Sequence, residues 1–255
     1  MPSQFVWYEL LTPDVEASKA FYSAILGWTV SKPDMGPASM DYHIANMGEI
    51  PVGGMMTLTP GMAEKGARPS WVGYVGVGDV DTAAAQAVEL GGAICQPPMD
   101  IPEVGRFAVM GDVGGAAFIL FKGNQDPPPE PPPMGAPGFV GWRELHAADG
   151  PAAFDFYAAL FGWTKDTAMD MGPMGVYQLF AAGGPAIGAV MTKPPSVPAP
   201  RWFFYFTVPS VEAGAEAVKA KGGQVTTGPM EVPGGMWVIH ALDPQGALFA
   251  LVGGK

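Results

Sequence analysis

Two glutamates lie in the middle of apolar stretches of this 255-residue chain. Glu9 occurs in FVWYELLT and Glu144 in VGWRELHA, each two residues after a tryptophan. Burying an unpaired carboxylate costs free energy, so each glutamate needs a hydrogen-bond donor, a proton or enclosed water. Because desolvation favours the protonated form of a carboxylate, a glutamate in such surroundings is a candidate general base.

An internal duplication relates the two glutamates. Residues 5–28 match residues 140–163 at an offset of 135 positions, the difference between 144 and 9. A later stretch, residues 71–77, matches residues 202–208 at an offset of 131 positions, the difference between 202 and 71. Constant offsets over many identities indicate repeated structural modules.

Each copy begins with a predicted strand that carries its glutamate. Side chains two residues apart on a strand point to the same face, so Trp7 and Glu9 share one face of the first strand. By the same rule, Trp142, Glu144 and His146 share one face of the corresponding strand in the second half. The second copy therefore adds an imidazole beside the carboxylate.

Helices and further strands follow each of these opening strands. Asp14 is a predicted helix N-cap and Gly27 suits the left-handed residue that ends a helix. Residues 59–69 are predicted to form a loop. The whole pattern predicts four βαβββ modules, two in each half, and therefore an α+β fold class. Paired modules are expected to enclose a ligand cavity with their sheet faces.

A proline-rich segment, DPPPEPPPMGAPG, separates the two halves. The predicted domains are residues 1–125 and 139–255, and residues 126–138 form the linker. Such a composition favours extended polyproline II structure and suits a semi-rigid spacer. A PxxP ligand for a partner domain is the alternative interpretation.

Composition and charge exclude several classes of function. A net charge of −11 argues against nucleic acid or an anionic membrane as a partner. Neither a signal peptide nor an apolar run long enough to span a bilayer is found. The single cysteine, Cys95, cannot form an intramolecular disulfide and suits a reducing compartment, so a cytoplasmic location is expected. The expected partner is a small-molecule ligand, and the expected assembly is a monomer or a homodimer.

These motifs together resemble the glyoxalase/bleomycin-resistance/extradiol-dioxygenase superfamily, also called vicinal oxygen chelate proteins, and the chain is similar to two-domain bacterial glyoxalase-like members. The resemblance covers nearly the whole chain apart from the linker, and it is carried by Asp14, Phe21-Tyr22 and Leu26-Gly27, by their copies Asp149, Phe156-Tyr157 and Gly162, and by Asp243-Pro244-Gln245-Gly246.

The family's usual chemistry relies on a divalent metal held by His, Gln or Glu side chains. The resemblance implies that these ligands would come from the opening strands and from the last strand of a module. The residues found there are apolar or aromatic: Trp7, Val72, Ile119, Trp142, Phe203 and Ala250. None of these side chains ligates a metal, so the resemblance predicts the fold without the family's metal site.

The resemblance also places His240 on the face that lines the cavity, where it would join Glu144 and His146. Three interpretations stay open for this group. The residues can form a structural hydrogen-bond network, or Glu144 can act as a general base with a histidine partner. They can also form a noncanonical Glu/His/His site for a divalent metal. In the first half Glu9 has Leu11 and Val109 in place of the histidines.

Several other side chains are candidate ligand contacts. They are Trp7, His43, Trp71, Phe107, Trp142 and Trp202. Large aromatic residues also serve as core, and His43 can equally be a structural histidine. Arg106 is expected either to bind a carboxylate group of a ligand or to form a surface salt bridge.

The expected function is binding of a small, partly apolar organic molecule. As an enzyme, the chain is predicted to be a lyase or isomerase that works without the usual metal and uses Glu144 as base. The alternative is a binding or sequestering protein, as the resemblance to the bleomycin-resistance branch implies. Required cofactors are not expected from the sequence.

Overall fold

The computed structural model describes residues 1–33, 41–125 and 135–255. Within them, sixteen β-strands and five α-helices form four consecutive βαβββ modules. The predicted α+β class and the predicted order of modules are therefore confirmed.

The four modules repeat the same order of elements. The first contains β1 (Phe5–Thr12), α1 (Val15–Leu26), β2 (Thr29–Ser31), β3 (Tyr42–Met47) and β4 (Ile50–Thr57), and is followed by a short helix, α2 (Pro60–Glu64). The second contains β5 (Ser70–Gly76), α3 (Val80–Glu89), β6 (Ala93–Ile101), β7 (Gly105–Gly111) and β8 (Ala117–Gly123). The third contains β9 (Val140–Ala147), α4 (Gly150–Phe161), β10 (Thr164–Asp170), a 3-10 turn (Gly172–Met174), β11 (Val176–Ala181) and β12 (Ala186–Thr192). The fourth contains β13 (Arg201–Ser210), α5 (Val211–Ala220), β14 (Gln224–Val232), β15 (Met236–Leu242) and β16 (Leu248–Gly254).

Two eight-stranded sheets take up these strands. Their strand orders are β2-β3-β4-β1-β5-β8-β7-β6 and β10-β11-β12-β9-β13-β16-β15-β14. In every module the first strand pairs in parallel with the last strand, and the remaining strands continue outwards in antiparallel fashion. Each sheet thus contains the strands of one half of the chain, and the two orders are related by the duplication.

Helix boundaries follow the predicted caps. The Asp14 carboxylate accepts a hydrogen bond from the Ala17 amide at 2.9 Å, and Gly27 ends α1 with a φ of 73°. In α4 the same roles belong to Asp149 and to Gly162, whose φ is 71°. Only glycine adopts this left-handed backbone without a steric cost, which explains the residue type at the end of both helices.

The predicted loop at residues 59–69 is wrong in part, because it contains helix α2. The Thr59 hydroxyl accepts a hydrogen bond from the Met62 amide, and Pro60 occupies the first helical position. Proline is well suited to that position because its missing N–H would have no helical partner there. A threonine followed by proline was therefore a helix start that the sequence analysis interpreted as loop.

The chain forms two compact units, and each contains modules from both halves. One unit consists of Met1–Val6, Val72–Pro131 and Arg143–Phe203. The other consists of Trp7–Trp71, Pro132–Trp142 and Phe204–Lys255. Between the predicted boundaries at residues 125 and 139, the chain passes from the first sheet to the second. The compact units, in contrast, are divided at other residues. Residues 126–134 of the predicted polyproline II linker lie outside the described residues.

A buried chain of hydrogen bonds joins the two modules of the second unit. The Trp71 indole N–H donates to the Tyr22 hydroxyl at 2.9 Å, and that hydroxyl donates to Asp243 Oδ2 at 3.0 Å. Asp243 Oδ1 accepts the backbone N–H groups of Gln245 and Ala247 at 2.9 and 2.8 Å. One carboxylate therefore closes its own turn and binds a helix that lies 221 residues away in sequence.

The first unit contains the duplicate of this arrangement. The Trp202 indole donates to the Tyr157 hydroxyl at 3.0 Å, and Tyr157 donates to Asp112 Oδ2 at 3.2 Å. The amides of Gly114 and Ala116 donate to Asp112 Oδ1 at 2.8 and 2.9 Å. We call these two arrangements the Trp–Tyr–Asp chains.

Burial dominates the protonation equilibria of these chains. It raises the pKa of Asp243 and of Asp112 above the ordinary value of an aspartate, although their hydrogen bonds oppose the shift. Burial also raises the pKa of Tyr22 and of Tyr157, and the neighbouring aspartate charge adds to the effect. Both tyrosines are therefore neutral hydroxyl donors.

Replacing Asp243 by asparagine should remove a pH-dependent part of the stability. A raised native pKa means that the native state holds the proton more tightly than the unfolded state. The corresponding stabilisation is complete below the unfolded pKa of 3.8 and is lost as the pH rises through the native pKa. The stability advantage of the wild type over Asp243→Asn should therefore decrease between pH 3.5 and 7, measured by urea unfolding.

Asp41→Asn provides a control of opposite sign. Hydrogen bonds from Lys32 and His43 lower the pKa of the exposed Asp41 to about 2. The wild type should therefore gain stability relative to this variant as the pH rises from 2 to 4. Parallel pH profiles for the wild type and Asp243→Asn would contradict the assignment of a raised pKa to Asp243.

Candidate functional site

Three polar side chains meet on one face of the third module. Glu144 Oε1 lies 2.6 Å from His146 Nε2, and the Tyr177 hydroxyl donates to Glu144 Oε2 at 2.6 Å. Glu144 and His146 are buried, with 6% and 7% of their surface exposed. We call Glu144, His146 and Tyr177 the second-half cluster.

Strand register brings this cluster together. Glu144 and His146 point to the same face of β9, and Met191 of β12 is the registered partner of His146. Gln178 of β11 pairs with Val190, so Tyr177 falls opposite Met191 and lies on the same row as His146. The tyrosine and the histidine thus both reach the carboxylate from the row of side chains next to its own.

The contacts of Glu144 determine where the His146 proton lies. An ionised carboxylate only accepts hydrogen bonds, so His146 must donate from Nε2. Nδ1 of His146 is buried and has no hydrogen-bond partner among the described residues. An N–H at that atom would be left unsatisfied, whereas a lone pair costs less, so the neutral tautomer with hydrogen on Nε2 fits both nitrogens. The Phe203 ring packs 4.5 Å from the imidazole and holds its plane.

The first module contains a matching group, which we call the first-half cluster: Trp7, Glu9 and Tyr42. Glu9 is 5% exposed. Tyr42 hydrogen-bonds Glu9, and the Trp7 indole donates to the Tyr42 hydroxyl at 2.9 Å. Burial and the Glu9 charge raise the pKa of Tyr42 well above its ordinary range, so its hydroxyl stays protonated.

Tyr42 and Tyr177 are the site residues that the sequence analysis missed. They are separated by 135 residues, the same offset that relates Glu9 to Glu144. The signal was therefore present in the sequence, outside the stretch of strongest identity. The offset did not reveal that each tyrosine contacts a glutamate, because the equivalence of two positions in a repeat does not show which residues lie next to them in space.

His240 belongs to a different group of contacts. Its Nε2 lies 2.8 Å from the Tyr205 hydroxyl, and the two rings meet edge to face at 5.6 Å. No group of three or more His, Cys, Asp or Glu side chains suited to a metal ion occurs among residues 1–33, 41–125 and 135–255. The alternative of a Glu144/His146/His240 metal site finds no support in that part of the chain.

Two of the candidate ligand contacts lie in the core, which was the alternative interpretation of large aromatic residues. Trp71 and Trp202 are each 6% exposed and take part in the Trp–Tyr–Asp chains. Trp71 packs 4.9 Å from the Phe206 ring, and Trp202 packs 5.3 Å from the Phe5 ring. Large indole rings bury much apolar surface while their N–H finds an acceptor, which explains their place in the core.

His43 lies on the other face of its strand from Tyr42. Its registered partner Met55 pairs onwards with Leu10, and both are fully buried. This face carries α1, because Thr12 contacts Ser18 of that helix at 2.8 Å. The structure therefore does not bring His43 to the face that carries Glu9; its Nε2 lies 3.2 Å from Asp41.

The remaining candidates are placed as follows. Phe107 is half-buried and pairs in register with Phe121. Trp142 is half-buried, two residues before Glu144 on β9. Arg106 binds Asp81 through two hydrogen bonds of 2.6 and 2.8 Å and Asp100 at 2.9 Å, so its guanidinium forms the predicted surface salt bridge.

Comparison with known proteins identifies the family. The model for the glyoxalase/bleomycin resistance protein/dioxygenase superfamily matches residues 140–251, and a bleomycin resistance protein-like N-terminal model matches residues 4–41. CFP32 of Mycobacterium tuberculosis, named as a provisional glyoxylase, is 32% identical over 96% of this chain and 93% of its own length. The chain belongs to the glyoxalase/bleomycin resistance protein/dioxygenase superfamily.

Other members of the superfamily are similar over the full chain. The anthracycline biosynthesis protein DnrV of Streptomyces peucetius is 31% identical over 98% of this chain and 93% of its own. A manganese-bound glyoxalase from Novosphingobium aromaticivorans superposes with a TM-score of 0.64 at 17% identity, covering 99% and 81% of the two chains. A homoprotocatechuate 2,3-dioxygenase variant from B. fuscum has a TM-score of 0.68 at 15% identity, covering 98% and 72%. These two structural matches establish the fold.

The residues of this chain do not fit the metal of such relatives. The positions that the superfamily resemblance assigns to ligands include Trp7, Ile119, Trp142 and Ala250. Trp7 uses its indole N–H as a donor, and Ile119 and Ala250 are buried hydrocarbon. Metal ligands in proteins are carboxylate, imidazole, thiolate or carbonyl groups, which these side chains lack.

Removing the Glu144 carboxylate should destabilise the protein. Replacing a buried carboxylate that had no partner by leucine would stabilise a fold, because a buried polar group would be gone. Glu144 has two partners, and in Glu144→Leu His146 and Tyr177 would each keep a donor without an acceptor. Unsatisfied buried groups cost roughly 1–3 kcal/mol each, so Glu144→Leu should lower the free energy of unfolding by a few kcal/mol.

Glu144→Leu/Tyr177→Phe is the matched control. Removing the tyrosine hydroxyl together with its acceptor should recover about 1 kcal/mol in urea unfolding. A Glu144→Leu variant as stable as the wild type would show that the carboxylate is not the acceptor of the two contacts.

Proposed function

We propose that this protein binds a small, partly apolar organic molecule and transfers a proton with Glu144, as a lyase or isomerase without the superfamily's usual metal site. The second-half cluster carries the proposal. It is a buried carboxylate held at both oxygens, at 2.6 Å each, by His146 and Tyr177. A fixed and desolvated carboxylate is well suited to general-base catalysis.

Each member of the cluster has a distinct role in this proposal. Glu144 takes a proton from a carbon next to a carbonyl group, and the C–H electron pair moves onto the carbonyl oxygen. In an isomerase the proton then returns to another atom of the same molecule. In a lyase the carbonyl group re-forms, a C=C bond is made to the next carbon, and a leaving group on that carbon departs with its own bonding pair and takes up the proton from Glu144. His146 and Tyr177 are positioning residues, since both contact the carboxylate and fix its direction.

The side chains around Glu144 indicate the class of ligand that we propose. The carboxylate is surrounded by apolar and aromatic groups, among them Met191 and Phe203. A net charge of −11 favours neutral or cationic ligands. The relative DnrV is named an anthracycline biosynthesis protein, which links that protein to small organic molecules. An aromatic molecule with an enolisable carbonyl group is therefore the substrate class that we propose.

A non-catalytic binding protein is the alternative. The match of residues 4–41 to a bleomycin resistance protein-like model favours it. In that case the ligand would be held on the same faces without chemical change. Binding without turnover would then be the complete activity of the chain.

Proton transfer can be tested with 2-tetralone, an enolisable aromatic ketone. The wild type should accelerate exchange of its C1 protons in D₂O above the buffer rate, followed by proton NMR. Glu144→Gln should lower the protein-catalysed rate about 100-fold or more, the scale of a lost general base. Glu16→Gln removes an exposed carboxylate that pairs with Lys19 and should leave the rate unchanged.

Two variants of His146 separate positioning from simple packing. Glutamine retains an N–H donor and leucine does not, so His146→Gln should keep part of the exchange rate that His146→Leu loses. Affinity for 2-tetralone should change little in either variant, because the loss falls on the catalytic step. Proton exchange of 2-tetralone at the wild-type rate in Glu144→Gln would overturn the catalytic proposal. Binding of 2-tetralone by the wild type without any proton exchange would favour the non-catalytic binding protein.

A further inference from the structure

We propose that Ala189 is a positioning residue of the second-half cluster, because a small side chain at this position is what lets the Tyr177 hydroxyl reach Glu144. The inference rests on the proposed function and deepens it. It predicts that a larger residue at position 189 breaks the hydrogen bond between Tyr177 and Glu144 and slows proton transfer, although the cluster residues themselves are unchanged.

The hydrogen bond between Tyr177 and Glu144 crosses a strand. Glu144 belongs to β9 and Tyr177 to β11, and β12 lies between these strands in the sheet. Neighbouring strands lie about 4.8 Å apart, so the backbones of β9 and β11 are separated by roughly 10 Å. The hydroxyl nevertheless lies 2.6 Å from Glu144 Oε2. The tyrosine side chain must therefore extend over β12 to make this contact.

Ala189 is the residue of β12 that lies beneath this crossing. It is the registered partner of Glu144 on β9. Tyr177 lies opposite Met191, one row of side chains away, so its ring must run diagonally to reach the row of Ala189. Registered partners point to the same face of a sheet. The methyl group of Ala189 therefore points to the face on which the tyrosine crosses.

The first-half cluster shows the same crossing more directly. Tyr42 hydrogen-bonds Glu9, and Gly54 of β4 is the registered partner of Glu9. A Cβ atom added at Gly54 would overlap the Tyr42 hydroxyl and would lie 2.6 Å from Cζ of its ring. The tyrosine therefore lies directly on the backbone of the strand that it crosses. Positions 54 and 189 are separated by 135 residues, the offset that also relates the two glutamates.

The size of this residue sets the height of the tyrosine above the sheet. Glycine in the first half leaves room for the Tyr42 ring on the backbone, where the Trp7 indole donates to the hydroxyl at 2.9 Å. Alanine in the second half places one methyl group under the crossing. Ala189 is fully buried, so a larger side chain there has no solvent to turn into. Valine would add two methyl groups of nearly fixed direction and displace the Tyr177 hydroxyl from the carboxylate.

Loss of this contact would remove the hydrogen bond to Oε2 of Glu144, while the His146 contact at Oε1 would stay. The carboxylate would then be less well fixed in the direction that proton transfer requires. Small errors in the placement of a catalytic group cost large factors in rate. A change at Ala189 should therefore affect the catalytic step, although its own side chain carries no polar group.

Proton exchange of 2-tetralone in D₂O tests this role with a pair of variants. Ala189→Val should lower the protein-catalysed rate about 10-fold, with little change in affinity for 2-tetralone. Ala189→Gly reproduces the first-half residue and should keep the rate within about 2-fold of the wild type. Ala108→Val enlarges another fully buried alanine of the same compact unit, so it should lower the stability without changing the rate.

A double-mutant cycle separates positioning from a general effect on packing. In a Tyr177→Phe background the hydroxyl is already missing, so Ala189→Val should lower the exchange rate by less than about 2-fold further. The same loss of rate in both backgrounds would show that Ala189→Val acts independently of the Tyr177 hydroxyl. That result would overturn the inference.

Tyrosine NMR tests the contact without a catalytic readout. The Cζ signal of a ¹³C-labelled tyrosine reports the hydrogen bond of its hydroxyl, and Tyr42→Phe and Tyr177→Phe assign the two signals. Ala189→Val should shift the Tyr177 signal alone, and Gly54→Ala should shift the Tyr42 signal alone. An unchanged Tyr177 signal in Ala189→Val would overturn the inference. A shifted Tyr177 signal in a protein whose wild type does not exchange protons would support the role of Ala189 in the contact and overturn only the proposed function.

Discussion

A carboxylate that closes a turn and also accepts a tyrosine hydroxyl is the interaction on which the rest of this structure depends. Asp243 and Asp112 each bind two amides of their own turn and one tyrosine from a helix of another module. Each tyrosine in turn accepts an indole N–H. Buried polar groups are stable only when fully paired, so the turn, the helix and the tryptophan must be in place together.

This arrangement explains why the helix side of each sheet is aromatic and closed. Tyr22 and Tyr157 have no exposed surface, and rings of tryptophan and phenylalanine pack around them at 5.0–6.0 Å. The polar side chains of the Trp–Tyr–Asp chains lie on the helix side and hydrogen-bond one another there. The glutamates belong to the opposite face of the opening strands, where Tyr42 and Tyr177 supply their donors.

Because side chains alternate between the two faces of a strand, the Trp–Tyr–Asp chains and the glutamate clusters lie on opposite faces of the sheet. Leu10 of β1 points towards the helix side, whereas Glu9 and Leu11 point the other way. A change at Glu9 or Leu11 therefore alters the face that carries the glutamate without removing a core contact of α1. The duplication could thus keep one architecture in both halves while one cluster has histidine and the other has leucine.

No described helix is long and apolar enough to cross a membrane.

Much of this architecture could be predicted from the sequence, because it follows from local rules. Asp14 and Gly27 mark helix ends, and alternation places Glu9 beside Trp7 on one face. The offset of 135 residues relates the halves. The composition of the compact units could not be predicted, since the partner of Tyr22 lies 221 residues away and no local pattern identifies it.

The candidate site could be predicted only in part, for the same reason. Trp71 and Trp202 were expected to be either ligand contacts or core residues, and the tyrosine partners that place them in the core are not evident from the sequence. His240 was expected beside Glu144, and its contact with Tyr205 depends on strand pairing that a sequence offset does not reveal. Tyr42 and Tyr177 carried a signal in their spacing, but their contact with the glutamates depends on three-dimensional register.

The protonation state of His146 tests the central claim most directly. The chain has three histidines, so ¹⁵N-labelled histidine gives a spectrum that can be assigned by single substitutions. The account predicts that His146 carries its hydrogen on Nε2 and that this hydrogen gives a strongly deshielded proton signal, which is lost in Glu144→Gln. A His146 with hydrogen on Nδ1, or a spectrum that is unchanged by Glu144→Gln, would contradict a Glu144 carboxylate held by this imidazole.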